Sequence, residues 1–303
     1  MDKVCIFGVD GFTGRHLQEY IRKHNLKEKF TFFGYSRKAV KSKDFPITVL
    51  EATNRDALSV TITTIQPHYI INLIGSPQVS SIDQAVTLNA TISKWICEII
   101  TENKIPIKKF LAIGSANEYG QIQTLPVSEE HAMQPTTFYG LSKSWQTLIL
   151  QFYFRTEGIP VNIARTFNII GSDMPSYLSI GSFVEQIRNA SDETIIKVGN
   201  METRRDFLAI DDVIDAYWKI LMYAPAGNVY NVCSGKSYAV RELLSHLISV
   251  SGKKINIKSE PELARTLDEI DIYGNNAKLR SAVNWTPGTD IIDTLTDMVK
   301  EKA

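Results

Sequence analysis

The chain alternates between short runs of almost wholly apolar residues and longer segments in which apolar residues recur at helical spacing. The apolar runs predict six strands: KVCIFG, KFTFFGYSR, ITVLEAT, HYIINLIG, KKFLAIGS and IPVNIARTFN. Most of the segments between them predict helices, as in RHLQEYIRKH, where Leu17, Tyr20 and Ile21 have helical spacing. Strands that are apolar on both faces are typical of a parallel sheet covered by helices on both sides. We therefore predict an α/β fold with a doubly wound parallel sheet.

The alternation becomes less regular after Asn168. The segment IIGSDMPSYLSIGS is rich in Gly, Ser and Pro and predicts a long loop. The elements predicted after it are a helix near 181–190, the strand TIIKVG, the helix IDDVIDAYWKILMYA, the strand NVYNVC and the helix VRELLSHLISVSG. We predict a nucleotide-binding domain from 1–167 and 207–235, and a smaller substrate-binding lobe from 168–206 and 236–303.

Composition narrows the functional classes. The 303 residues carry 33 Lys and Arg against 33 Asp and Glu, so a basic surface for nucleic acid or a membrane is not expected. The three cysteines are scattered without metal-ligand spacing, and we expect no metal site and no disulfide framework. No apolar run reaches the ~18 residues of a membrane span, and no secretory signal is visible. A cytoplasmic protein is the simplest expectation.

The first candidate site is the segment GVDGFTG, which follows the first strand and opens the first helix. Glycine allows a tight strand-to-helix turn and lets a pyrophosphate approach the backbone, while the helix N-terminus offers free N–H groups. We predict that Gly8, Gly11 and Gly14, with Phe12, hold a dinucleotide. The alternative is an ordinary glycine turn.

The second strand ends in GYSRK, without the carboxylate that usually holds the ribose of NAD. An arginine there suits a ribose 2′-phosphate, so Ser36 and Arg37 favour NADP(H), with NAD(H) as the alternative. Glu51 is placed to contact the adenine, and Ala52 and Leu73 are further candidate cofactor contacts. An exposed basic turn would also explain the pattern.

The pentapeptide YGLSK places Tyr139 and Lys143 four residues apart, on one face of a helix. An ammonium close to a phenol stabilises the phenolate, so we expect Lys143 to lower the pKa of Tyr139. Ser115 ends the fifth strand in GSANEYG, beside the point where such sheets bind ligands. Together the three residues predict a site that transfers a proton while a hydride moves at the adjacent carbon. Tyr-x-x-x-Lys alone is common, and an exposed helix turn is the alternative.

These motifs resemble those of the extended short-chain dehydrogenases/reductases that act on nucleotide sugars. The matching stretches cover nearly the whole chain: GVDGFTG, GSANEYG, YGLSK, ARTFNIIG and RRDFLAIDDVIDAYW. Several stretches are similar to the group that reduces GDP-linked 4-keto-6-deoxyhexoses. The resemblance implies a Rossmann sheet with a smaller C-terminal lobe, and Ser115, Tyr139 and Lys143 as catalytic residues. It also implies that Tyr139 and Lys143 contact NADP(H).

The same resemblance implies that Asn168, Arg205 and Arg265 bind the substrate, a nucleotide sugar for which a GDP-linked form is favoured. Guanidinium groups pair well with diphosphate oxygens, which agrees with the two arginines. An isolated arginine is more often a surface charge.

The resemblance leaves several reactions open, because one fold hosts many chemistries. Related 4,6-dehydratases carry an acidic residue two places after the catalytic Ser or Thr, where this chain has Asn117 after Ala116. Neither residue is a general acid, which favours a reductase over a dehydratase. Related reductases often have Ser and Glu at these two places, and Pro where this chain has Thr266. A 4-epimerase and a non-catalytic NADP-binding protein remain the alternatives.

The two long helices predicted near 81–103 and 138–157 carry more apolar residues than one buried face requires. The apolar residues of these helices include Ile92, Trp95, Ile96, Ile99, Trp145, Leu148, Ile149 and Phe152, and their excess suggests a second buried face. Related enzymes pair through these helices, so we expect a homodimer. A wide core within one chain is the alternative.

Overall fold

A computed structural model describes residues 1–191, 193–260 and 270–300 of the chain. The main-sheet strands are β1 (Asp2–Phe7), β2 (Phe30–Ser36), β3 (Ile47–Val49), β4 (Tyr69–Asn72), β5 (Lys109–Ser115), β6 (Val161–Thr166) and, later in the chain, β11 (Asn228–Val232). The helices that cover this sheet are α1 (Phe12–Lys23), α2 (Arg55–Ile65), α3 (Ile82–Val86), α4 (Ile92–Glu102), α5 (Phe138–Glu157), α7 (Ile210–Tyr223) and α9 (Ala277–Val283).

The smaller elements follow or interrupt this pattern. The strands are β7 (Asn168–Ile170), β8 (Thr194–Val198), β9 (Arg204–Arg205), β10 (Phe207–Ala209), β12 (Tyr238–Ala239), β13 (Ile255–Ser259) and β14 (Asp271–Ile272). The helices are α6 (Ser179–Asn189), α8 (Val240–Ser251) and α10 (Ile291–Lys300). None of the helices in the described ranges is long and apolar enough to cross a membrane.

The main sheet is parallel, with strand order β11-β6-β5-β4-β1-β2-β3. The chain runs from β1 outward through β2 and β3, then returns to the other side of β1 with β4. Strand order therefore reverses between β1 and β4, and a crevice opens at their carboxyl ends. The predicted doubly wound α/β fold is confirmed.

Alternating side chains of each strand serve two hydrophobic cores, one on each face of the sheet. In β1, Val4 and Ile6 pack with α1 and α7, whereas Cys5 and Phe7 pack with α2, α4 and α5. Both sets are wholly buried. A strand buried on both faces must be apolar throughout, which explains why the strand runs are so continuous.

A third core lies in the smaller lobe, among α6, α8, α10 and β8. The lobe joins the sheet through the parallel pair of β7 and β10, in which Asn168 is opposite Phe207. Leu279 of α9 and Trp285 pack in the core against α7, and the Trp285 indole donates a hydrogen bond to the Asp212 carbonyl at 3.2 Å. The domain division predicted from the sequence stays a prediction. The segment 277–300 contributes to a core of the main sheet and also to the core of the smaller lobe.

The structure corrects some element boundaries. The predicted long loop after Asn168 is shorter at both ends, because residues 169–170 belong to β7 and residues 179–182 begin α6. The long helix predicted over 81–103 is two helices joined by a π-helical segment, Thr87–Thr91. The third strand ends at Val49, so Leu50, Glu51 and Ala52 belong to a loop. The periodicity of apolar residues in the sequence does not show where the hydrogen bonds between two strands end. It also does not show where a π-helical turn interrupts an α-helix.

Candidate active site

A cleft of about 380 Å³ opens at the carboxyl ends of the central strands, between the sheet and the lobe. Its walls include the loops after β1, β4 and β5, the first turns of α5, and the segment between β7 and α6. Gly8, Gly11 and Leu73 also line a second pocket of about 170 Å³ near the end of β2, which we call the side pocket. The two cavities are therefore adjacent, and one extended ligand could occupy both.

The glycine loop closes the floor of the cleft. Gly14 packs so tightly against the loop that a Cβ atom there would lie 2.4 Å from the Val9 carbonyl oxygen, so only glycine fits. Gly11 precedes α1 and supplies no side-chain cap to its first turn. The first N–H groups of α1 consequently face the cleft end of the sheet, which is the arrangement that binds a phosphate.

The side pocket brings together the residues predicted to hold the adenosine half of a dinucleotide. It is lined by Ser36, Arg37, Glu51 and Ala52, together with Gly8, Gly11 and Leu73. Ser36 is buried and its hydroxyl accepts a hydrogen bond from the Lys38 N–H at 3.1 Å. Hydrogen bonds from Thr53, with a smaller effect of the nearby Arg37 charge, hold the pKa of the Glu51 carboxyl below its usual range. Arg37 is exposed at this pocket, where a guanidinium could pair with a phosphate group on a ribose.

Ser115 is held at the end of β5 by a reciprocal cap on the single turn that follows. Its backbone N–H donates to Glu118 Oε1 at 2.8 Å, and its hydroxyl accepts from the Asn117 N–H at 3.2 Å. The Asn117 side-chain amide also donates to the same hydroxyl at 3.3 Å. Because the Ser115 oxygen accepts both bonds, its own hydrogen is available for another group in the cleft.

Glu118 is wholly buried and committed to structure. Its Oε2 accepts from Arg165 Nε at 3.0 Å, from Arg165 Nη2 at 2.8 Å and from the Thr147 hydroxyl at 2.7 Å. Glu118 does not line the cleft, whereas Asn117 does. This carboxylate links β5, β6 and α5, and it is not placed to exchange protons with a ligand.

Tyr139 reaches Ser115 because α5 packs closely on the turn after β5. A Cβ atom at Gly140 would lie 2.4 Å from the Asn117 carbonyl oxygen, so this glycine allows the contact. The Thr137 hydroxyl caps α5 by accepting from the Gly140 N–H at 3.0 Å. The first turn of α5 therefore holds Tyr139 at the cleft wall beside the Ser115 hydroxyl.

Burial raises the pKa of Tyr139 to about 12, with smaller contributions from Glu118 and Tyr177, and the Ser115 hydrogen bond opposes this rise. The expected lowering by Lys143 is therefore wrong for this structure, because the loss of hydration outweighs any favourable charge. A phenol with so high a pKa keeps its proton at neutral pH. It is suited to donate that proton to a ligand oxygen that becomes strongly basic.

Lys143 is buried at the back of the same cleft. Its Nζ donates to the Ile113 carbonyl at 2.8 Å and to Gln146 Oε1 at 3.1 Å. Burial lowers the pKa of Lys143 to about 8, opposed by the nearby Glu118 carboxylate. The side chain thus remains mostly an ammonium at neutral pH.

Several polar residues of the site carried no signal in the sequence. Asn89, on the π-helical segment, is buried and bonds the backbone of Ser76 and the Ser142 hydroxyl. Tyr217 of α7 lines the cleft and shares a 2.6 Å hydrogen bond with Thr166. Tyr177 lines the cleft from the segment before α6, and half of its surface is exposed. A lone Asn or Tyr is too common to identify before its position in the fold is known.

Of the three residues predicted to bind the substrate, two lie in the described part of the chain and one of these lines the cleft. Asn168 lines the cleft, and its amide donates to the Asp206 carbonyl at 2.9 Å. Arg205 lies on β9, two residues before the cleft-lining Phe207, and its guanidinium donates to the Arg204 carbonyl at 2.8 Å. Arg265 and Thr266 lie outside the described residues. The cleft does unite Ser115, Tyr139, Lys143, Gly8, Gly11, Phe12, Gly14 and Leu73.

Comparison with known proteins places this geometry in a family. A family model described as GDP-mannose 4,6 dehydratase matches residues 5–298. GDP-6-deoxy-D-mannose reductase of Pseudomonas aeruginosa is 29% identical, over 97% of this chain and 94% of the relative. GDP-6-deoxy-D-talose 4-dehydrogenase of Aggregatibacter actinomycetemcomitans is 24% identical, over 99% and 98%. A solved structure of RMD from Pseudomonas aeruginosa complexed with NADPH superposes with a TM-score of 0.83 and 26% identity, covering 99% of this chain and 98% of that one.

Proposed function

The chain belongs to the GDP-mannose 4,6 dehydratase family, and within this family of nucleotide-sugar-modifying enzymes we propose that the protein is a reductase. The proposed reaction is NADPH-dependent reduction of the C4 keto group of a nucleotide-linked 4-keto-6-deoxyhexose. The favoured substrate is GDP-4-keto-6-deoxy-D-mannose, which would give GDP-D-rhamnose. The family resemblance predicted from the motifs is confirmed, and the protein is an oxidoreductase-type enzyme of that family.

The observation that carries this proposal is a cleft with a complete proton-donating set and, among the described residues that line it, no carboxylic acid. Ser115, Tyr139 and Lys143 line one cavity, while the positions after Ser115 are occupied by Ala116 and Asn117. A dehydratase must remove a proton and protonate a leaving hydroxyl, which needs ionisable groups near C5 and C6. The next carboxylate, Glu118, is bound by Arg165 and Thr147 away from the cleft. A reduction needs one proton and fits this set.

Each cleft residue has a distinct role in the proposed reaction. The Ser115 hydroxyl, already an acceptor from Asn117, donates to the substrate carbonyl oxygen and orients it. Tyr139, which holds its proton because burial raises its pKa to about 12, gives that proton to the oxyanion as it forms. Lys143, buried and lining the cleft, would hold the cofactor ribose and stabilise the oxyanion with its positive charge. Bound NADPH supplies the hydride.

Binding of the substrate away from the reacting carbon would orient the sugar. We propose that Asn168 contacts it from the cleft wall, and that Arg205 and Arg265 pair with the diphosphate oxygens. Such remote contacts stabilise the reactive orientation without taking part in the chemistry.

A 4-epimerase is the second candidate, because it would use the same Ser, Tyr and Lys but would retain and recycle its cofactor. The test incubates the protein with NADPH and a panel of nucleotide 4-keto-6-deoxy sugars, with GDP-4-keto-6-deoxy-D-mannose among them, and follows absorbance at the reduced nicotinamide band. We expect one equivalent of NADPH consumed per product formed. Product without net NADPH loss would identify an epimerase, and binding without product would identify a non-catalytic protein.

We expect NADPH to bind more tightly than NADH, because Arg37 in the side pocket is placed to pair with the ribose 2′-phosphate. A charge-assisted hydrogen bond of about 1.5–3 kcal/mol corresponds to a roughly ten- to hundredfold difference in Kd. Calorimetric titration at moderate salt measures it. Arg37→Ala should abolish the preference, whereas Arg55→Ala, at a partly exposed arginine paired with Glu98 and Glu102, should retain it. Equal affinities of the unaltered protein for the two cofactors would refute the assignment.

We also propose a homodimer and a cytoplasmic location. The three cysteines are free and buried, as expected in a reducing compartment. On α5, Phe138, Trp145, Leu148 and Phe152 are each 42–52% exposed and form one stripe at helical spacing, while the opposite face packs in the sheet core. A stripe of this kind on a helix is typical of an interface.

Sedimentation at micromolar concentration should give about twice the chain mass of 34.1 kDa. Leu148→Glu should shift the protein toward the monomer because it places a charge in the stripe. Tyr223→Glu, on an exposed aromatic residue at the end of α7, is the matched control and should not. A monomeric parent protein would contradict the proposal.

A further inference from the structure

Lys143 is held by a buried chain of neutral polar groups that the proposed reaction does not otherwise use. Gln146 Oε1 accepts from the Lys143 ammonium at 3.1 Å, and the other end of the same amide, Nε2, donates to Ser93 Oγ at 2.7 Å. Ser93 Oγ also accepts from Asn72 Nδ2 at 3.0 Å. Lys143, Gln146, Ser93 and Asn72 are all 2% exposed or less.

This chain of hydrogen bonds fixes which end of the Gln146 amide faces the ammonium. Ser93 accepts from both amides, and a flip of Gln146 would turn its NH₂ group toward the positive charge of Lys143. Asn72 is itself oriented, because its Oδ1 accepts from the Ile74 N–H at 3.0 Å. The network runs from the end of β4 through α4 to α5. The packing of these three elements therefore determines that the Gln146 oxygen faces Lys143.

Lys143 has three N–H donors, and within residues 1–191, 193–260 and 270–300 two acceptors lie within hydrogen-bonding distance of its Nζ: the Ile113 carbonyl and Gln146. Both are neutral. The ionisable group that acts on the ammonium is Glu118, bonded to Arg165 on β6, and Tyr139 of the same helix lines the same cleft. An acceptor without charge holds the ammonium in place but adds no negative field near the phenol.

We propose that Gln146, oriented by Ser93 and Asn72, is a positioning residue that holds the Lys143 ammonium toward the cleft and keeps it protonated there. The proposal rests on the proposed function for its consequence, since Lys143 lines the cavity in which the oxyanion forms. Replacement of Gln146 would then change the pH range of activity rather than only the amount of folded protein.

The test uses three substitutions and a direct titration. Gln146→Leu removes the acceptor, Gln146→Glu keeps the shape but adds a negative charge, and Ser93→Ala releases the amide. The protein is labelled with ¹³C at the ε-carbon of lysine, and the Lys143 signal, assigned by its loss in Lys143→Met, is followed by NMR against pH. Gln186→Leu is the control, because its amide bonds the Ser182 hydroxyl at 3.1 Å on α6, away from the cleft.

Burial places the Lys143 titration of the unaltered protein near a pKa of about 8. Gln146→Leu should lower the midpoint by about one pH unit, a tenfold change in the protonation equilibrium, because a hydrogen bond to a charged group is lost. Gln146→Glu should raise it, since a carboxylate favours the ammonium. Ser93→Ala should lower it by less, and Gln186→Leu should leave it unchanged.

The alkaline limb of the pH–rate profile for NADPH-dependent reduction should move in the same direction in each variant. Midpoints that are the same in Gln146→Leu, Gln146→Glu and the parent protein, with each variant folded by thermal unfolding, would overturn the proposal. If no nucleotide sugar were reduced, the proposed function would fail, but the NMR titration would still decide whether Gln146 holds Lys143.

Discussion

Tyr139→Phe is expected to lower kcat by roughly 10²–10⁴, the usual contribution of a positioned general acid. The substitution keeps the ring and its packing at the cleft wall but removes the proton that the oxyanion needs. Because burial holds the pKa of Tyr139 at about 12, the phenol is protonated across the working pH range, and raising or lowering pH between 6 and 9 should not restore the variant. Steady-state rates with NADPH and the keto sugar measure the loss.

Affinity for NADPH should stay nearly unchanged in this variant, since most of the proposed cofactor contacts lie in the glycine loop and the side pocket. The matched control is Tyr153→Phe, the same change further along α5, where the hydroxyl faces Glu98 and not the cleft. Turnover of Tyr139→Phe at the rate of the parent protein would remove the catalytic assignment and leave YGLSK as an ordinary turn of helix.

Arg165→Met is expected to destabilise the protein by about 3–5 kcal/mol, the range for removing one partner of a buried ion pair. The Arg165 guanidinium is 2% exposed and makes two bonds to Glu118 Oε2, at 3.0 and 2.8 Å, and its Cζ lies 4.5 Å from the centre of the Tyr119 ring. Without Arg165, the wholly buried Glu118 carboxylate keeps two hydrogen-bond donors among the described residues, the Thr147 hydroxyl and the Ser115 N–H. Thermal and urea unfolding measure the change.

The control for size and charge is Arg155→Met, an exposed arginine near the end of α5, which should have little effect. The double variant Arg165→Met, Glu118→Leu removes both charges and should recover part of the lost stability, because no unpaired charge remains buried. If Arg165→Met were as stable as Arg155→Met, the ion pair between Arg165 and Glu118 would not stabilise the fold around the site.

Local rules were sufficient for the repeating part of the fold. Continuous apolar runs such as HYIINLIG identify strands buried on both faces, and GVDGFTG identifies the turn into α1, because each pattern depends on neighbours in the chain. The order of a strand-end serine and a Tyr-x-x-x-Lys helix also predicted that Ser115, Tyr139 and Lys143 would meet, since parallel strands end at one edge of a sheet. The structure places all three in the cleft.

Properties that depend on burial required the tertiary structure. The sequence predicted that Lys143 would lower the pKa of Tyr139, but the pKa is raised, because loss of hydration depends on everything packed around the phenol and not on one neighbour four residues away. The partners that hold Glu118 away from the cleft, Arg165 and Thr147, are 47 and 29 residues distant in the chain and could be identified only in the tertiary structure. The orientation of the Gln146 amide depends on Ser93, which lies 53 residues earlier in the chain. The sequence by itself determined the main strands and helices of the sheet and the meeting of Ser115, Tyr139 and Lys143, because these depend on local periodicity and on the order of the elements. Protonation and orientation were decided by the tertiary structure, because they depend on contacts between distant residues.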